Sequence, residues 1–205
     1  MARSSRATVI DHPRGRVAAE EKLVAAAASL LGEVGPRATS VRMIAERAGV
    51  NHGLVHHYFG GKDALLRAAM VQLVEEHRKF ARERSHGQPM PAPLALNNDQ
   101  RYLRAVVRAV LDGEMELART ELDTGASVPR SALEHVVTRR GLDAADIETK
   151  ATFALFMAME MGWAAIEPFL FAVTDVADDE VEDVRAAAAR LRVQMSNEME
   201  RGVRR

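Results

Sequence analysis

Three histidines fall within six residues, at His52, His56 and His57, with Arg42, Asn51, Tyr58 and Lys62 close by in the chain. Such a set carries two kinds of chemistry. An imidazole donates or accepts a hydrogen bond and changes charge near neutral pH, while guanidinium, amide, phenol and ammonium groups meet phosphate oxygens and base edges. The other chemistry is metal binding. His52 and His56 stand four residues apart, on one helical face, but no third ligand lies near them in the sequence. A face that meets nucleic acid is the better reading, and no metal or cofactor is expected. Catalysis finds less support. His86, His135 and many carboxylates are present, yet no HExxH, GxSxG or phosphate-loop pattern appears. The chain has no cysteine, which removes thiol nucleophiles, thiolate metal sites and disulfides together.

The elements around these residues must hold them outward. From Arg16 to Val34 the apolar residues Leu23, Ala27, Leu30, Leu31 and Val34 recur at helical spacing, and Gly35-Pro36 stops that helix. Ser40 can cap a short helix, Val41–Ala48, and Gly49 stands where a left-handed residue ends one. Asn51 can cap a second short helix to Phe59. Two short helices joined by a tight turn make a helix-turn-helix. Ala45 is small where they cross, and Ile44, Val50, Val55 and Phe59 form the apolar set that locks the second helix in place. That leaves His52, Gly53, His56 and His57 outward, towards a major groove.

Thr39-Ser40, Ile44-Ala45, Ala48-Gly49-Val50, Tyr58-Phe59, and Lys62 followed by Leu65-Leu66 together resemble the DNA-binding segment of TetR-family transcriptional regulators, over about residues 16–70. The resemblance implies an all-α fold: an N-terminal three-helix unit with the helix-turn-helix, then a helical dimerisation and ligand-binding domain. It implies that Arg42 reaches a base edge or phosphate, that His52, Gly53, His56 and His57 lie along the groove, and that Tyr58 and Lys62 hold phosphates. Asn51 is counted with them. Two plainer readings stay open: Arg42 as a solvated helix charge, and Tyr58 as a core residue with its hydroxyl at the rim. The family often has a small hydroxyl residue where Leu54 stands, and usually Tyr where His56 stands. Leu54 cannot donate a hydrogen bond, which puts one backbone contact in doubt. The resemblance further implies repression relieved by a small effector, with double-stranded DNA, a second copy of the chain and a small organic molecule as partners.

Composition agrees with a folded helical chain. Of 205 residues 47% are hydrophobic and 28% charged, with few aromatics, which argues against disorder. The net charge of −1 hides a split. Residues 1–62 carry nine Lys/Arg against five acids, 9 − 5 = +4, and the rest is 19 − 24 = −5. A basic end on an acidic body suits a polyanion partner for one part only. The division expected is a basic flexible arm over 1–15, a DNA-binding unit over 16–62 and a helical body over 63–205. In the body, the pattern predicts one helix from Lys62 to about Arg84 and a loop over 85–97. It predicts a helix of about 23 residues from Asn98, a short one over Ser131–Arg140, a long apolar one from Asp143 to about Glu167, and a last helix from Asp178.

One half-site reads few base pairs, so a two-fold dimer on a palindromic operator is expected. On the long apolar helix Leu155, Ala158, Gly162 and Ala165 share one side and allow a close partner helix, with Val184, Leu191 and Met195 of the last helix beside them. Phe153, Phe156, Met157, Glu160 and Trp163 share the other side and would wall a cavity with Tyr102 and Val106. Glu160 either recognises a cationic or hydrogen-bonding ligand or pairs with an arginine at the core edge. The same apolar stretch is interrupted by Glu160, Glu167 and Pro168, so a buried helix fits better than a membrane span, and a cytoplasmic protein is expected. The rival classes are a helical interaction protein with a degenerate helix-turn-helix and an α-helical enzyme.

Overall fold

The computed structural model describes residues 13–85 and 92–202. Among them are ten α-helices and no strand: α1 Pro13–Glu33, α2 Gly35–Ala38, α3 Val41–Ala48, α4 Gly53–Phe59, α5 Lys62–Arg84, α6 Gln100–Leu111, α7 Met115–Asp123, α8 Val128–Arg139, α9 Ile147–Val173 and α10 Val181–Gly202, with a 3-10 turn at Ala95–Asn98 before α6. The expected arm over 1–15 is helical from Pro13 onward, and its first twelve residues lie outside the described residues.

Helix α1 is the hub. One side packs on α3, and the rest lies along α5 and α6. Leu23, Ala27 and Leu31 of α1 are buried with Ile44, Val55, Leu65, Met70 and Ala105, so one core runs from the N-terminal helices into the body. Each large side chain so buried contributes about 1.5–3 kcal/mol relative to exposure. The boundary expected at residue 62 divides the chain in sequence but does not divide this core.

Three expected elements differ. The helix predicted as one piece from Asn98 is two, because the chain turns at Asp112–Glu114, with Gly113 at φ +79°. The amide of Glu114 then closes back on the Ala109 carbonyl. Helix α8 begins at Val128 rather than Ser131. The Ser127 hydroxyl caps it, and Pro129 fits a first turn where its missing N–H costs nothing. Helix α9 starts later than expected, capped by Asp146 on the Thr149 amide, and continues through Pro168. The proline is accommodated by a kink at Ile166, φ −128° and ψ 17°.

Helix α9 is long and apolar enough to cross a membrane by length and composition. It nevertheless packs on α6, α8, α10 and the 3-10 turn. Two of its three carboxylates are paired with α10: Glu167 takes Arg185 at 2.6 Å and Glu160 takes Arg192 at 2.8 Å.

Candidate nucleic-acid interface and inner cavity

The turn between α3 and α4 is built by local chemistry. The Ser40 hydroxyl accepts the Met43 amide at 3.2 Å and starts α3. Gly49 ends it at φ 67°, ψ 34°, a left-handed conformation that costs an L-residue about 1–2 kcal/mol. The Val50 amide then closes on the Ala45 carbonyl. The residue at the start of α4 is His52, which makes no side-chain cap bond; Asn51, expected as the cap, stands one residue earlier, where its Oδ1 accepts the Gly53 amide at 2.8 Å. A Cβ on Gly53 would stand 3.2 Å from that same oxygen, so glycine keeps that bond unstrained. Arg47 bonds Glu33 at 2.5 Å and ties α3 to α1. That bond also holds the Glu33 carboxyl below its ordinary range.

Ile44 and Val55 are fully buried, and Val50 and Phe59 pack against them. This leaves Arg42, Asn51, His52, Gly53, His56 and His57 exposed, while Tyr58 and Lys62 are half-buried. Tyr58 has the Arg16 guanidinium 5.3 Å above its ring and leans on His57 at 5.1 Å between centroids. Leu54 is half-buried and packs on the core. A side chain there is used for packing, which is how the fold accommodates the absent hydroxyl.

The second feature is a cavity of about 490 Å³ enclosed by α5, α6, α7, α8, α9, α10 and the chain before α6. Of the residues expected in its wall, Tyr102, Val106, Phe153, Phe156, Met157 and Glu160 line it. Trp163 does not. The α9 residues that reach the cavity end at Met161, and beyond that turn the indole N–H donates to Glu167 Oε1 at 3.0 Å, with the ring edge-on to Phe171.

Glu160 takes the pairing alternative. Oε1 accepts from Arg192, and Oε2 accepts the Leu94 amide at 2.7 Å. Leu94 holds φ 60° to offer it, a conformation uncommon for leucine. Burial nevertheless raises the Glu160 carboxyl above its usual range, against the pull of Arg192.

Sequence reasoning missed a polar chain deep in the same cavity. His77, only 4% exposed, stacks on Tyr102 with centroids 3.9 Å apart and planes 3° from parallel, and its Nδ1 meets Asp99 Oδ2 at 2.9 Å. The Tyr102 hydroxyl lies near the Glu121 carboxylate, which accepts from Ser127 at 3.0 Å. Burial, then the Glu121 charge, pushes the Tyr102 phenol well up. His77 lies on the buried side of α5 with Leu65, Leu66 and Leu73, and nothing in its spacing points to Asp99, 22 residues on.

On α9 the side opposite the cavity is open. Ala151, Leu155, Ala158 and Ala165 are exposed, and Leu155 is 59% accessible. Gly162 is half-buried, and a Cβ on it would meet nothing within 4 Å. On α10 Leu191 and Met195 are exposed and Val184 is half-buried.

Similar proteins add to this geometry. The family model described as bacterial regulatory proteins, tetR family, matches residues 23–69. An HTH-type transcriptional repressor of Mycobacterium tuberculosis is 31% identical over 164 residues, 80% of this chain and 81% of that protein. A BetI transcriptional regulator of Chromohalobacter salexigens is 34% identical over 96 residues, 46% of this chain and 42% of that one. Among solved structures, Salmonella enterica GusR superposes with a TM-score of 0.57 at 17% identity, over 95% of this chain and 98% of that one. A tetR-family regulator from Streptomyces coelicolor gives 0.53 at 18% identity, over 86% and 88%.

Proposed function

The chain belongs to the TetR family, and we propose that it works as a two-fold dimer on a palindromic operator, as a repressor that a small organic molecule releases. It is a DNA-binding transcriptional regulator, and its place of work is the cytoplasm. The observation that carries the reading is the α3–turn–α4 unit, with a buried apolar lock on one side and exposed Arg42, His52, Gly53, His56 and His57 on the other. Helix α4 enters the major groove. Gly53 lets backbone approach the DNA, Arg42 and the histidines meet base edges and phosphates, and Tyr58 and Lys62 hold the flanking backbone. Phosphate contacts supply affinity, and the groove-facing side chains supply sequence choice.

The exposed side of α9, with α10 beside it, meets its copy across the two-fold axis. Residues Leu155, Ala158, Gly162 and Ala165 are small enough at most positions for helices to approach closely, and Leu191 and Met195 bury with them.

Effector release follows from how α6 is shared. Tyr102, Leu103 and Val106 of α6 face the cavity, while Ala105 and Ala109 pack in the core with α1. At its end Asp112 Oδ2 accepts the Arg37 amide of α2 at 3.2 Å. A ligand that displaces α6 therefore displaces α1 and α2, and with them α3 and α4. A ligand that binds the released arrangement a hundredfold better shifts the balance by about 2.7 kcal/mol.

Selection of bound sites from random DNA with the purified protein tests this reading. An enriched inverted repeat supports it. Recovery of no enriched sequence, or of a single unrepeated half-site, contradicts it.

A further inference from the structure

The wall of the inner cavity also says which molecules it suits, given that the cavity is the effector site. We propose that it takes an apolar molecule carrying one carboxylate, read by Arg140 with Arg84 at the rim.

Most of the wall is apolar, with Phe80, Leu96, Val106, Phe153 and Met157 supplying the body of the site. Among the described residues its two carboxylates, Glu121 and Glu160, are already engaged. Glu121 accepts from Ser127 and lies near the Tyr102 hydroxyl. Glu160 accepts from Arg192 and the Leu94 amide. Neither is left to receive a cation. Three of the aromatic rings are also engaged: Tyr102 stacks on His77, and Phe156 and Phe80 each carry a guanidinium. The Arg192 guanidinium lies 4.9 Å from the Phe156 ring, and that of Arg84 lies 4.7 Å from the Phe80 ring.

Arg192 of the wall is paired with Glu160, while, among the described residues, Arg84 and Arg140 line the cavity with no carboxylate bonded to them. Among the described residues Arg140 makes one hydrogen bond, from Nη1 to Thr149 Oγ1 at 2.8 Å, and no ion pair. The nearby acid, Asp146, accepts the Thr149 amide at Oδ1, and the Arg140 charge acts on it without a hydrogen bond between them. Among the described residues Arg84 makes its ring contact alone. A guanidinium has five N–H donors in a planar fork that suits two carboxylate oxygens. Arg140 thus keeps most of its donors for an anion at the end of a hydrophobic chamber.

Calorimetry on the full-length protein tests this with four probes: decanoate, 2-naphthoate, 1-decanol and decyltrimethylammonium. The two acids distinguish a chain from a ring as the apolar body, and tight binding of either supports the proposal. The expected result is that the better acid binds at least about tenfold tighter than decanol, as a charge-assisted hydrogen bond gives, and that the cation does not bind. Arg140→Gln costs that acid about tenfold and leaves decanol binding unchanged, which also shows that the variant is folded. Arg84→Gln costs less. Decanol binding as tightly as either acid, or the cation binding more tightly, overturns the carboxylate reading and leaves the effector site standing. Binding of none of the four overturns both.

Discussion

Glu160 stands on α9 with one oxygen on Arg192 and the other on the Leu94 amide. Its carboxyl is raised chiefly by burial. An acid whose folded pKa lies above its unfolded one gives stability that is present at low pH and lost as pH rises through the folded value. The thermal midpoint of the protein minus that of Glu160→Gln is therefore expected to fall as pH rises from 4 upward. A difference that grows with pH contradicts this. Gly35 carries a separate expectation. It sits at φ +82°, and a Cβ there would lie 2.9 Å from Asp112 Oδ2. Gly35→Ala should destabilise by at least ~1 kcal/mol, read by denaturant unfolding. On the α4 face, changing the exposed His52, His56 and His57 together to Ala is expected to weaken operator binding at fixed salt. Identical curves for the two proteins would remove them from the interface. The types at these positions were legible in the sequence. Their partners were not: Arg192 is 32 residues from Glu160 and Asp99 is 22 from His77, distances over which periodicity carries no signal.

At the level of helices, the short elements were the most readable because their signals are local. Ser40, Gly49 and Asn51 each mark an end within one turn, through a cap or a left-handed residue. The longer helices were read less well where tertiary packing overrides a local sign. Gly113 lies in a pattern that continues apolar on both sides, yet the chain breaks there. Pro168 looks like a stop, yet α9 passes it by kinking at Ile166. Trp163 shares the cavity side of α9 by angle, but lies one turn too far along. The open side of α9 carries the dimer expectation. Leu155→Asp places a charge in the proposed interface and should shift sedimentation from dimer to monomer and weaken operator binding at least tenfold, since breaking a two-site contact forfeits avidity. A variant that remains dimeric with unchanged affinity contradicts the placement of the interface.

For the whole molecule, the split of +4 on residues 1–62 and −5 on the rest gains meaning from the fold. The basic end carries α3 and α4, while the acidic remainder encloses the cavity and offers the open α9 side. The core is continuous through α1, α5 and α6, which is the physical link the proposed effector release needs, and the sequence boundary at residue 62 concealed it. The most direct test of the central claim is the affinity for a selected operator across salt, with the number of chains bound per site counted by sedimentation. Two chains per site, with log affinity falling steeply as log salt rises, are the predicted result. One chain per site, or a slope near zero, would contradict a dimer that holds DNA by phosphate contacts at two α4 helices.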